Sequence, residues 1–281
     1  MSLSLLKRKP VLGWALYDWA NSAFALTVVA TFYPLFLRSY WSSPEEAADV
    51  TGRLAFTTAS ASLLVAFIAP VLGAIADAGG ARKRFLILFT LLAIASTFGL
   101  YIVGEGQWPI ALGLYVIALF GLYYANTFYD SLLINVTEPV NYERVSALGF
   151  GIGYFGSAML LAFNTWMVAN PAALGLADAS EAIRFAFLLV AVWWAVFAIP
   201  LMLFVKEERA ESPPFAQAVA NGYRTLIQTF RDVRQYRNLG TFLLAYWLYI
   251  DGVHTLILMA TDFGGSLGFE AQELVLALLR R

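Results

Sequence analysis

Seven long apolar stretches, at 11–37, 54–76, 84–104, 109–136, 146–170, 183–205 and 239–263, constrain this chain more than anything else in it. A stretch of ~20 apolar residues is what an α-helix needs to cross the hydrocarbon of a bilayer. Inside that hydrocarbon every backbone N–H and C=O must find a partner within the protein, which leaves only helices and closed barrels. The stretches lack the period-two alternation of barrel strands, so helices are expected. Composition agrees: 60% of the 281 residues are hydrophobic and only 13% charged, against ~45–50% and ~25% in soluble domains. A water-soluble fold of this size cannot hide so much apolar surface. The expected class is an all-α polytopic membrane protein. The first stretch follows Lys7, Arg8 and Lys9 and is too long for a cleaved signal peptide, so it reads as a retained span.

Orientation follows from the short loops, because Lys and Arg concentrate on the cytoplasmic side. Thirteen of them fall at the N-terminus, in the loops after the second and fourth spans, and in the segment after the sixth. Only Arg38, Arg53 and Arg184 fall on the opposite side before the final two arginines. A multi-pass protein of a bacterial plasma (inner) membrane with a cytoplasmic N-terminus is expected. Residues 206–238 are the one long hydrophilic break, opening Lys206-Glu207-Glu208-Arg209 and continuing into a basic stretch from Tyr223 to Arg237. That stretch forms either a surface helix against anionic headgroups or a solvated linker helix. The division is then a six-span bundle at 1–205, a cytoplasmic linker at 206–238, and the incomplete start of a second bundle at 239–281. An eighth apolar stretch, Leu274 to Leu279, is too short to span, so a truncated form is expected.

An internal echo crosses the linker. A shift of 230 residues pairs Ala15 with Ala245, Asn21 with Asp251, Leu26 with Leu256, Ala30 with Ala260, Thr31 with Thr261 and Tyr33 with Phe263. The seventh span thus reads as a second copy of the first, a symmetry common in secondary transporters.

Ionisable groups in hydrocarbon cost at least ~2.5 kcal/mol, so they mark partners or aqueous pathways. In the first span Asp18, Asn21 and Ser22 share one helix face. They suit a substrate or proton pathway, or else a structural hydrogen-bonded role. Asp251, His254 and Thr255 repeat the arrangement in the seventh span. A carboxylate beside an imidazole is a candidate proton site; the alternative is a histidine bonded within the bundle. In the fourth span Tyr123, Asn126, Thr127 and Asp130 make a polar stripe that lines a cavity or, at Asp130, anchors the bundle. Gly149 and Gly153, with Ser157, form a small-residue ridge for close helix packing.

Between the second and third spans runs Gly73-Ala74-Ile75-Ala76-Asp77-Ala78-Gly79-Gly80-Ala81-Arg82-Lys83-Arg84. It resembles the signature loop of the major facilitator superfamily in its Gly73, Asp77 and Gly80 followed by Arg82 and Lys83, with Ala78 where a basic residue is usual. Gly13 to Phe24, Val145 to Gly156 and Tyr249 to Thr255 resemble the branch containing the fungal vacuolar amino-acid effluxer and its bacterial relatives. The resemblance implies twelve helices in two six-helix bundles, alternating access, a cytoplasmic gate at the signature loop, and export of small polar metabolites, amino acids first. Roughly five helices of that pattern are not present.

The leading expectation is a transporter of the major facilitator type for a small polar solute, with protons as a possible second partner and the lipid bilayer as its surroundings. A remnant bundle that scaffolds another membrane protein is the alternative. An enzyme is not expected: with no cysteine and one histidine, none of the metal or nucleophile motifs is present. No cofactor or metal site is expected. Nucleic-acid binding is not expected either, since topology accounts for the basic residues.

Overall fold

The computed structural model describes residues 6–43, 45–46, 49–79, 81–207, 215–269 and 274. Among the described residues there is no strand. The helices are α1 (Lys9–Trp41), α2 (Val50–Gly79), α3 (Arg82–Ile102), α4 (Trp108–Ser131), α5 (Tyr142–Ala169), α6 (Ala179–Phe204), α7 (Phe215–Gln235) and α8 (Arg237–Ser266). The first six are long and apolar enough to cross a membrane, and α8 makes a seventh if its two parts count as one bent span. Most helices outrun their expected apolar stretches, because a helix does not end where hydrocarbon ends. The fourth differs: its helix stops at Ser131, and a short turn, Leu133–Val136, completes the expected stretch.

The chain begins α1 with Pro10 in its first turn, where a missing N–H costs nothing. At α6, Asp178 accepts a hydrogen bond from the Glu181 N–H at 2.8 Å, while the Glu181 side chain accepts from the Ala177 N–H at 2.7 Å. The two carboxylates satisfy two otherwise orphan donors, a reciprocal cap.

α1 lies at the centre, packed on α5 and α6, while α3 packs on α4 and α6 and α2 on α4 and α7. Close approach is permitted by missing side chains. A Cβ on Gly13 would stand 2.7 Å from the Pro200 carbonyl of α6, and one on Gly121 would stand 2.8 Å from the Phe89 carbonyl of α3. Large aromatic rings fill the rest: Tyr33 stacks on Tyr115 at 3.8 Å and Trp41 on Phe187 at 5.7 Å.

Two ends of the bundle can be told apart. On the side of the N-terminus (the N-side), the Lys9 ammonium lies over Phe204 and the start of α3 meets the end of α6. On the far side the loops are stitched together. The Gly106 N–H donates to the Tyr40 carbonyl at 3.1 Å, and the Trp41 indole donates to the Val103 carbonyl at 3.4 Å. The Trp108 indole donates to Glu46 at 3.0 Å, while the Arg53 guanidinium stacks over the Trp108 ring at 3.9 Å.

α1 is not a uniform helix. Residues Phe24–Phe32 and Leu37–Trp41 are π-helical, with Tyr33 N–H bonded to the Val28 carbonyl and Ser42 N–H to the Leu37 carbonyl. Wide turns of this kind are rare and tend to occur where function disturbs the ladder. Pro34 has a direct part in this, since it lacks an N–H and so deprives the Ala30 carbonyl of its ordinary helical donor.

Candidate functional site

The polar residues of α1 face α5 and α4 about a third of the way from the N-side. Asp18 and Ser22, one turn apart, are joined by a hydrogen bond from the Ser22 hydroxyl to the Asp18 carboxylate at 3.1 Å. The Asn21 amide donates to Asn126 Oδ1 on α4 at 2.6 Å. These four side chains form a seam that neither α1 nor α4 completes alone. Asn21 is buried, while Asp18, Ser22 and Asn126 are half-buried.

Glycine sets the depth of the seam. A Cβ at Gly153 of α5 would lie 2.8 Å from the Ser22 hydroxyl and 3.1 Å from the Asp18 carboxylate. One at Gly149 would lie 2.5 Å from the Trp14 ring, and one at Gly156 would lie 2.4 Å from Trp19. The ridge expected at Gly149 and Gly153 therefore presses on the candidate site itself, and Gly156 extends it.

An aromatic floor lies on the N-side of the seam. The Trp14 indole donates to the Tyr129 carbonyl at 3.2 Å, and the two rings stack at 4.3 Å. Tyr17 stacks on Tyr129 at 5.0 Å and shares a 2.7 Å hydrogen bond with Thr90 of α3. Tyr129 and the neighbouring Asp130 both lie within electrostatic reach of Asp18. Asp130 itself is exposed.

The seventh-span residues are placed apart. Asp251 and Thr255 are exposed on α8. α8 meets α1 through the π-helical part and the turn after it, beyond the seam. The side chain of His254 lies outside the described residues.

At the signature loop, Gly73 is half-buried on α2, and among the described residues no atom beyond its own turn lies within 4 Å of a Cβ placed there. Gly80 and the side chain of Asp77 lie outside the described residues. The backbone N–H groups of Arg82 and Lys83 donate to the Glu207 carboxylate at 3.0 and 2.9 Å, and the Lys83 ammonium donates to the Val205 carbonyl at 2.7 Å. An acidic residue from the end of α6 thus caps the start of α3, satisfying donors that a helix leaves open and meeting its positive end.

Several of these residues were not singled out from sequence. Trp14, Tyr17 and Tyr129 read as ordinary apolar residues of their spans. Glu207 sat among linker charges, with nothing to show that it turns back to another helix. Asp262 carried the signal of charge in hydrocarbon but fell at the last residue but one of an expected span, where water is usually within reach.

The model of the vacuole effluxer Atg22-like family matches residues 46–140 and 134–279. An uncharacterised MFS-type transporter of Bacillus subtilis, YxiO, is 37% identical over 268 residues, covering 94% of this chain and 62% of that protein. Autophagy-related protein 22 of Saccharomyces cerevisiae is 22% identical, over 87% of this chain and 59% of that protein. The chain therefore spans about three-fifths of the length of these two relatives. Among solved structures, a D-xylose-proton symporter superposes with a TM-score of 0.56 at 16% identity, covering all of this chain and 66% of that one. That likeness concerns the fold, and it is the fold of a major facilitator transporter. Taken with the family match over most of its length, it places this multi-pass membrane chain in the vacuole effluxer Atg22-like family.

Proposed function

We propose that the chain serves a secondary active transporter that moves small polar metabolites, amino acids first, by alternating access with proton coupling. The observation that carries this reading is the seam of Asp18, Ser22, Asn21 and Asn126. Polar groups are retained in hydrocarbon where they border water or a substrate. With Asn21 donating to Asn126 Oδ1, the Asn126 NH2 group is left to donate to a solute carboxylate. The Asp18 carboxylate accepts from a solute ammonium, and Asp130 stands at the N-side mouth. A zwitterion meets a carboxylate at its ammonium end and an uncharged amide donor at its carboxylate end. Because Asp130 lies within reach of Asp18, a proton on either carboxylate changes what the other holds, which couples proton and solute.

In this reading 1–205 is the first bundle, 206–238 a cytoplasmic linker and 239–281 the beginning of the second bundle. The N-side is cytoplasmic in a bacterial plasma membrane, and Gly73, Asp77, Gly80, Arg82 and Lys83 form its gate loop. Asp251 and His254 face the seam when the second bundle swings toward it.

The test is uptake of a panel of radiolabelled amino acids into vesicles holding the protein, with and without an imposed pH gradient. Asp18→Asn is expected to abolish uptake, and Asp251→Asn to remove its response to the gradient. Unchanged uptake in both variants would take these carboxylates out of the mechanism.

A further inference from the structure

The far-side end of α8 is held to α1 by polar contacts that the seam does not involve. Arg38 Nη2 of α1 stands 2.7 Å from Asp262 Oδ1 of α8, and the same nitrogen donates to the Thr51 hydroxyl at the start of α2 at 2.9 Å. The Asp262 side chain is wholly buried, and that of Arg38 is 23% exposed. One residue earlier, the Thr261 hydroxyl donates to the Ala30 carbonyl, the one that Pro34 strips of its helical donor. Thr261 and Thr31 are equivalents under the 230-residue repeat. The two copies therefore meet at corresponding levels, as helices related by an axis through the bundle would.

α8 is treated very differently along its length. It bends by 51° between Asn238–Ile257 and Met259–Ser266. Thr261, Asp262 and Gly264, on the far-side piece, are buried, whereas every residue from 241 to 249, on the N-side piece, is exposed. The helix is pinned at one end.

We propose that Arg38, Asp262 and Thr261 are the far-side gate: a clamp joining α1, α2 and α8 that shuts this face while the N-side stands open. The proposal rests on the transporter reading above and adds the residues that hold one of its states. A buried ion pair resists separation, because either charge left alone in a low dielectric is costly. Here the pair is also incompletely satisfied, since Asp262 Oδ2 is buried with no hydrogen-bond partner among the described residues. Thr51 keeps hold of Arg38 on the first-bundle side when Asp262 departs. The clamp is firm enough to define a state and open enough to leave it.

The chain has no cysteine, so spin labels can be placed at will. Ser39→Cys and Ser266→Cys put labels on two exposed residues, one on each helix beside the clamp. Pulsed electron resonance on the protein in lipid nanodiscs then reads the distance between them. One short population is expected. Asp262→Asn and Arg38→Gln are each expected to raise the ratio of a longer population to the short one by about tenfold or more. The exchange Arg38→Asp with Asp262→Arg is expected to restore the short one. Should the charge variants not fold, Thr261→Val, which removes a single hydroxyl, is expected to lengthen the distance in the same direction. An unchanged distribution across the folded variants would overturn the proposal. The distances need no solute, so a clamp that opens in a protein that transports nothing would refute the carrier reading alone.

Discussion

α1 and α8 carry matching residues at a shift of 230, yet the bundle holds them by opposite means. α1 is gripped along its length by α5 and α6, where glycines let neighbouring backbones and rings approach. The described side chains of α8 from 241 to 249 are exposed, and its far end is fixed by an ion pair and a hydroxyl. Packing by shape resists displacement, because a gap of about 0.5–1 Å forfeits roughly a quarter to a half of a close contact's energy. Polar contacts at one end can be exchanged for others. Within this chain, then, α1 is packed by shape on helices of its own bundle, whereas α8 meets that bundle through polar contacts at one end.

The sharpest way to break that contrast is a pair of matched substitutions. Gly13→Ala pushes a methyl against the Pro200 carbonyl, a backbone atom that cannot rotate aside, and is expected to cost about 1–3 kcal/mol of stability. Gly252→Ala on α8 meets no neighbouring atom of the described residues within 4 Å and is expected to be neutral or to gain up to about 1 kcal/mol from lower backbone entropy in the unfolded state. Thermal unfolding of the purified protein in detergent reads both. Equal losses would mean that α8 is packed as tightly as α1.

A smaller effect concerns the seam. A double-mutant cycle with Asn21→Ala and Asn126→Ala is expected to give a coupling of about 0.6–1.7 kcal/mol, the range for hydrogen bonds between helices in membranes. A coupling near zero would mean that the two amides act independently.

The smallest lies on the far-side loop. The Ser43 N–H holds the Glu46 carboxyl below the usual carboxylate range, followed by the Trp108 indole, with the Ser43 hydroxyl and Arg53 helping and partial desolvation opposing. A carboxyl lowered in the folded state stabilises it fully above its unfolded value and loses that contribution as pH falls through the folded one. Amide exchange across the loop between α1 and α2, corrected for intrinsic rates, is expected to speed up over that acidic window. Glu46→Gln should abolish the dependence.

The first six spans and the polar face of α1 were legible because hydrocarbon imposes one rule on every residue: apolar, or accounted for. Asp18, Ser22 and Asn21 broke that rule within a single turn, and the structure joins them through Ser22–Asp18 and Asn21–Asn126. What sequence could not supply was the partner across helices. Nothing local to Gly153 says that it lies against Asp18, and nothing near Glu207 says that it caps α3. The π-helical turns of α1 were equally hidden. Pro34 is visible in the sequence, but the Thr261 hydroxyl that α8 brings to the Ala30 carbonyl is not.

The most direct measurement is the reactivity of a cysteine at the seam, for which the cysteine-free chain is already suited. Asn126→Cys and Val192→Cys would be compared, the latter a side chain 51% exposed in the middle of α6. A charged, membrane-impermeant thiol reagent offered from the N-side should modify the cysteine at 126 rapidly and leave that at 192 untouched, because only an ionised thiolate in water reacts. If the position at 126 reacts no faster than the one at 192, the seam does not border water and the carrier interpretation is wrong.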